Sequence, residues 1–176
     1  MGRRSKTPAA GRGLPQLWAP WRSTFVSARK RQAPCIFCAA HRSRDDRAHH
    51  VVARGTHVFA ILNRYPYNNG HLMIAPSRHV GGLSSITPGE WVGPLRMSLE
   101  LPRRLVQRLR PQGFNMGLNL GRVAGAGILG HLHLHIVPRW NGDTNFMPVL
   151  GATKIISQSL AELYELLTAT TKRDGR

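Results

Sequence analysis

The clearest pattern along the chain is a period of two. In FNMGLNL, Phe114, Met116, Leu118 and Leu120 alternate with Asn115, Gly117 and Asn119. One face is then apolar and the other polar, as a half-buried strand requires. HLHLHIV repeats the period, with Leu132, Leu134 and Ile136 on one face and His131, His133 and His135 on the other. Two shorter apolar runs, HVFAILN and HLMIAP, lie upstream on either side of RYPYNNG. That Pro/Asn/Gly cluster reads as a turn, and GRVAGAG, between the two alternating segments, reads as a loop.

Two further stretches carry helical signals. Thr87-Pro88-Gly89-Glu90 has the form of a capping box with Pro at the first helical position. The helix it starts is expected to run towards Leu109, with Pro94 and Pro102 kinking or interrupting it. A second helix, over about residues 157–170, places Leu160, Leu163 and Leu167 on one face. The order strands, helix, strands, helix indicates an α+β fold. Its sheet is mainly antiparallel, with a long helix between strands and a C-terminal helix.

Composition refines this picture. A chain of 176 residues holds one ordinary domain and is too short for two. Residues 1–15 are rich in Gly, Pro, Arg and Ser and read as a disordered basic tail; residues 16–170 read as a single domain and 171–176 as a C-terminal tail. LWAPWR, with Trp18 and Trp21, is expected to dock on something. No apolar run approaches the roughly 18 residues of a membrane span, and no signal-peptide core is visible, so a soluble cytoplasmic protein is expected. Two cysteines make no disulfide framework, which agrees with a reducing compartment.

Charge is the unusual bulk feature. Lys and Arg total 25 against 8 acids, for a net charge of +17. Such a field attracts polyanions and nucleotides without naming one. No acid precedes Asp45, whereas eight Lys or Arg residues do so up to Arg31. A solvated basic tail is the first reading of that stretch, with nucleic-acid contact or an organellar transit segment behind it.

Candidate chemistry concentrates in three places. Three imidazoles on one strand face are costly to bury without partners, so that face reads as a site. Neutral imidazoles suit a transition-metal centre, and equally suit nucleophilic attack on phosphorus. NLGRVAGAG, just upstream, favours the second, because its glycine amides can approach a phosphate closely. PCIFC has the spacing that lets Cys35 and Cys38 bind one tetrahedral zinc, which then needs two further ligands. His41, His49 and His50 lie nearby in sequence as possible partners. Two buried cysteines or a redox pair are the other readings.

These residues carry a resemblance. HLHLHIV resembles the His-x-His-x-His-x-x signature of the histidine triad (HIT) superfamily of nucleotide hydrolases and nucleotidyl transferases. FAILNRYPYNNGHLMIAPSRHV is similar to that family's upstream strand-turn-strand, and GFNMGLNLG to its penultimate strand. HIVPRWNGDTNFMPV and LWAPWR resemble the branch close to diadenosine tetraphosphate phosphorylases and ATP adenylyltransferases. The resemblance covers roughly residues 17–168.

It implies that His133 is the nucleophile, attacking the α-phosphate to form a nucleotidyl-histidine intermediate. A backbone carbonyl would hold its Nδ1–H and leave Nε2 free. His135 and Asn119 would contact the phosphate or the leaving group, Asn63 the ribose, and His71 would support the site. Many members carry Ser or Gln just before the triad; Gly127 stands here and can offer only a backbone amide. Zinc-bearing members imply a structural zinc on Cys35, Cys38, His79 and His131, and no organic cofactor. The implied substrate is an adenine dinucleotide, the acceptor phosphate or water, and the assembly a homodimer. A zinc-stabilised nucleic-acid-binding module, stacking bases on Trp18 and Trp21, is the alternative of another class. Two more are a HIT hydrolase removing AMP from nucleic-acid ends, and a redox metal centre on all three triad histidines.

Overall fold

In the computed structural model of the chain, residues 34–144 and 155–169 are described. Both tails, Trp18, Trp21 and the NFMPV segment lie outside the described residues. Helix α1 (Ile36–Arg42) precedes the strands β1 (Val51–Gly55), β2 (Val58–Leu62) and β3 (Leu72–Pro76). A short 3-10 turn at Leu83–Ser85 leads into α2 (Pro88–Leu109), and β4 (Gly113–Leu118), β5 (Leu134–Arg139) and α3 (Leu160–Thr168) complete the order. The strands form one sheet in the order β1-β2-β3-β5-β4, every neighbouring pair antiparallel. The fold is α+β, with the long helix between strands and the C-terminal helix where the pattern placed them.

All five residues of β2 and all five of β3 are buried. Such central strands, covered on both faces, read in sequence as continuous apolar runs instead of alternating ones. On one face Ala60, Leu62, Leu72, Ile74 and Ile136 pack against Met97, Leu101 and Leu105 of α2 and Leu163 and Leu167 of α3. On the other, Phe59, Ile61, Met73 and Ala75 pack against Phe37 and Ala40 of α1. Each large apolar side chain so buried contributes about 1.5–3 kcal/mol, so the two helical layers fix the sheet between them.

Two elements were not expected. Strand β1 forms a hairpin with β2 through Thr56 and His57, Gly55 facing Val58 across the turn. His57 adopts φ 60, a left-handed conformation usually signalled by Gly or Asn, so the hairpin lacks its ordinary sequence mark. Helix α1, of seven residues, is too short to show a period. Arg54 of β1 holds it, donating to the carbonyls of Ala40 (2.9 Å), His41 (3.4 Å) and Ser43 (3.1 Å) while pairing with Asp46. A cation at a helix C-terminus satisfies the carbonyls left over by the last turn.

Of the two outcomes expected at Pro94 and Pro102, a kink or an interruption, the interruption is corrected: α2 runs as one helix of 22 residues through both. Each proline removes one N–H from the ladder. Buried Pro94, Met97, Leu101 and Leu105 hold the surrounding turns against the sheet, and that packing outweighs the missing bonds. The C-terminal helix is shorter than expected, starting after the Ser159 cap and ending at Thr168.

The start of α2 carries the capping box read from sequence, Thr87 accepting from the Glu90 amide and the Glu90 carboxylate accepting from the Thr87 amide at 2.9 Å. The Arg78 guanidinium, bonded to the same carboxylate at 2.6 and 2.8 Å, is the main reason the Glu90 carboxyl falls from 4.5 to about 2. A depressed carboxyl stabilises the fold above its unfolded pKa and ceases to do so as pH falls through its folded pKa. Thermal unfolding of Glu90→Gln should therefore show a lower Tm than the parent at neutral pH. The difference should shrink between pH 4.5 and 2; a difference independent of pH would contradict the ion pair's part in it.

Candidate active site and metal centre

The sheet face opposite α2 and α3 carries a wall of imidazoles. His135 lies in β5 opposite Met73 and Gly117. His133 and His131 continue the line, with ring centroids of His133 and His135 4.8 Å apart. His71, just before β3, sets its Nε2 2.8 Å from His135 Nδ1. All four histidines are buried, between 0 and 8% exposed. The three triad rings share one face, while Leu134 and Ile136 turn to the helical layer. One expectation is corrected: the strand begins at Leu134, so His131 and His133 precede it. There the chain has left the ladder, and the Leu132 amide donates to the Val80 carbonyl at 2.6 Å.

Partners fix the proton on each ring. The Tyr67 amide can only donate, and it lies 2.9 Å from His71 Nδ1. His71 therefore carries its proton on Nε2 and donates it to His135 Nδ1. His135 in turn bears its proton on Nε2, 3.4 Å from Asn119 Nδ2, so the Asn119 amide must turn its oxygen towards the ring to accept that proton. His133 donates Nδ1–H to the His131 carbonyl at 2.8 Å, which leaves the Nε2 lone pair without a partner among the described residues. His131 donates Nε2–H to the Pro76 carbonyl at 2.8 Å, leaving Nδ1 unprotonated.

Burial pushes all three triad rings below the ordinary imidazole range, His135 to about 4. The three triad rings are thus neutral at physiological pH.

His131 Nδ1 faces sulfur. It lies 3.4 Å from Cys35 Sγ and 3.7 Å from Cys38 Sγ, and Cys38 Sγ lies 3.1 Å from His79 Nδ1. The ligand atoms of Cys35, Cys38, His79 and His131 all fall within 4.8 Å of one another. Two thiols and two imidazoles so placed fit a tetrahedral metal ion. Burial, reinforced by Cys35, pushes the Cys38 thiol up; a bound dication would reverse that. His41, a rival ligand in sequence, instead stacks on Phe59 at 5.8 Å. Neither His49 nor His50 belongs to the cluster.

The remaining expected site residues surround this wall. Asn63 bonds the Tyr65 amide through Oδ1 and lies 3.2 Å from His71 Nδ1, so its amide shapes the turn beside the wall. Gly121 and Gly125 adopt φ 84 and 91, conformations glycine tolerates, and the loop folds over Asn119. Gly127 is exposed, with nothing within 4 Å of where a Cβ would stand. Two aromatic side chains that the sequence pattern did not mark complete the site. Tyr67 lies tilted against His71 at 4.7 Å and stacks on His135 at 5.6 Å. Phe37 packs against His131 and His133. Phe37 had a signal, its place between two paired cysteines; Tyr67 had none beyond a turn.

Comparison with known proteins agrees with this geometry. The HIT domain description matches residues 44–142, more than half of the chain. The chain belongs to the HIT family. An AP-4-A phosphorylase of Mycobacterium tuberculosis is 39% identical to this HIT protein over 167 residues, covering 91% of this chain and 86% of the relative. A Zn-bound histidine triad family protein from Mycobacterium smegmatis superposes with a TM-score of 0.60 at 24% identity, over 77% of this chain and 91% of that one. A hypothetical histidine triad nucleotide-binding protein from Sulfolobus tokodaii gives 0.59 at 26% identity, over 76% and 87%.

The cluster geometry makes a prediction at Gly130, where a Cβ would come within 3.1 Å of His79 Nε2. Gly130→Ala should push His79 out of line and weaken metal binding roughly tenfold, since small displacements of a ligand ring cost affinity on that scale. Cobalt titration, followed by the thiolate absorption band, would measure it, and equal affinity in the variant would contradict the placement of His79.

Proposed function

We propose that this enzyme of the HIT family cleaves diadenosine polyphosphates, such as diadenosine tetraphosphate, through a covalent nucleotidyl intermediate on His133. One observation carries the reading: His133 is held with Nδ1–H on the His131 carbonyl and Nε2 open, in a buried wall that keeps the ring neutral. An uncharged imidazole with its lone pair fixed in place is what attack on phosphorus requires.

The Nε2 lone pair of His133 forms a bond to the α-phosphorus. The bond from that phosphorus to the bridging oxygen breaks, and its electron pair leaves on the departing polyphosphate. His135, held neutral with Nε2 protonated, donates to a phosphate oxygen, and the Asn119 amide lies beside it. Donors already fixed where charge develops stabilise the transition state more than any other single effect in such catalysis. Asn63 faces the ribose and the Gly127 amide the leaving group. Phosphate then attacks the intermediate, giving ADP and ATP from diadenosine tetraphosphate; water as acceptor would give AMP and ATP. The name of the Mycobacterium tuberculosis relative supports phosphate.

The Cys35, Cys38, His79 and His131 set would hold zinc. Four protein ligands leave no open position, so the ion's part is structural. Free cysteines suit a reducing cytoplasm, and among the described residues no helix is long and apolar enough to cross a membrane.

A second copy of the chain is the partner we infer. Val92, Leu95, Leu99 and Val106 are exposed on the α2 face turned away from the core, and β4 ends the sheet. Leu99→Asp should convert a dimer to a monomer in sedimentation velocity; a monomeric parent would contradict the assembly.

The mechanism is tested by His133→Ala. Turnover of diadenosine tetraphosphate should fall by roughly a thousandfold or more while the protein keeps its fold. Product analysis with and without phosphate identifies the acceptor. Unchanged turnover in the variant would overturn the role of His133.

A further inference from the structure

The four-ligand cluster and the open imidazole of His133 share two physical links. The first is the backbone: His131, whose Nδ1 faces the cysteine sulfurs, supplies the carbonyl that accepts the His133 Nδ1–H. The second is Phe37. Its ring lies 5.0 Å from that of His131 and 4.9 Å from that of His133, tilted by 48° and 37°. Phe37 is 0% exposed and stands between Cys35 and Cys38 on α1.

Helix α1 cannot hold this ring in place alone. Seven residues are far below the length at which a helix is stable by itself. Arg54 secures its C-terminal end. At the N-terminal end Cys35 makes no side-chain cap bond. Among the described residues, what holds that end down is the packing of Phe37 and whatever joins the two cysteines to His79 and His131.

We propose that Phe37 is a positioning residue that couples occupancy of the cysteine–histidine cluster to the orientation of the His133 ring. An ion on the four ligands fixes the start of α1. Phe37 is thereby pressed against the His133 ring from one side, and the His131 carbonyl holds its Nδ1–H from the other. With the ligands unjoined, the start of α1 loosens and His133 samples both tautomers. The catalytic consequence rests on the reading of His133 as the nucleophile, whereas the coupling itself does not.

Long-range proton–nitrogen correlation at His133 reads the tautomer directly. It would be recorded for the metal-loaded parent, the chelator-stripped parent, loaded Phe37→Leu and loaded Phe59→Leu. Phe59 is the control, since it is equally buried in the same cluster and touches Phe37 at 6.4 Å. The loaded parent and Phe59→Leu should show a single Nδ1–H form. The stripped parent and Phe37→Leu should show averaged nitrogen shifts. In Phe37→Leu, kcat for diadenosine tetraphosphate should also fall by roughly 10- to 100-fold with KM little changed, the scale of a misplaced reacting group. An unchanged His133 signature in either the stripped parent or Phe37→Leu would overturn the coupling. Failure of any dinucleotide to turn over, with the tautomer response intact, would overturn the nucleophile reading and leave the coupling standing.

Discussion

His71, His131, His133 and His135 are buried side by side, and each has one proton to place and one lone pair to expose or satisfy. A mismatch in such a row costs the desolvation of an unpaired polar group, about 1–3 kcal/mol each. Backbone groups and one neighbouring ring set the protons along the row. Backbone groups at Tyr67, Pro76 and His131 set three of the rings, and His71 sets the fourth, that of His135. Backbone partners do not titrate, so each tautomer holds for as long as the segment that carries its partner stays in place. What is left over is chemically useful: one open Nδ1 beside two thiols, one open Nε2, and one Nε2–H donor.

The rest of the molecule serves that row. Helices α2 and α3 cover one face of the sheet, which frees the other to be polar where it must. On that other face a small apolar cluster around Phe37 and Met73 excludes water next to the rings. Partner ordering extends outward in a chain of hydrogen bonds. Asn68 donates to the Pro138 carbonyl and to Asp143, which also accepts from Arg139 and the Trp140 amide. The turn carrying Tyr67 and the end of β5 are thereby tied together, and with them the amide that decides the His71 tautomer.

Much of this was legible in the sequence, and the gaps have physical causes. The capping box of α2 was readable because it depends on neighbours in sequence. Strand β4 was readable as a strand, but the half-buried alternation expected of it is corrected: it is the edge of the sheet, it ends at Leu118, and Met116 and Leu120 are exposed. Strand β1 was not, because His57 occupies a turn position where Gly or Asn would have marked the hairpin. Helix α1 was not, because tertiary bonds from Arg54 sustain it and no period does. Asn63 and His71 sit across one turn, so their meeting follows from the β2–β3 register. His79 is different. It joins Cys38 across 41 residues and nears His131 at 5.1 Å only because Val80 captures the Leu132 amide. Composition and spacing left His41, His49 and His50 as equal rivals there, and resemblance alone chose His79.

Where the strand stops decides what the triad can do. A strand with neighbours on both sides commits nearly all of its amides and carbonyls to the ladder. Strand β5 has β3 on one side and β4 on the other, and both pairings end at Leu134. Had the ladder continued, the His131 carbonyl would have been claimed by a neighbouring strand. It could not then have accepted the His133 proton. The same break lets His131 turn into the sulfurs of α1 while His135 stays locked in the sheet. The period of two puts three imidazoles on one face, and the end of pairing between the second and the third gives them different work.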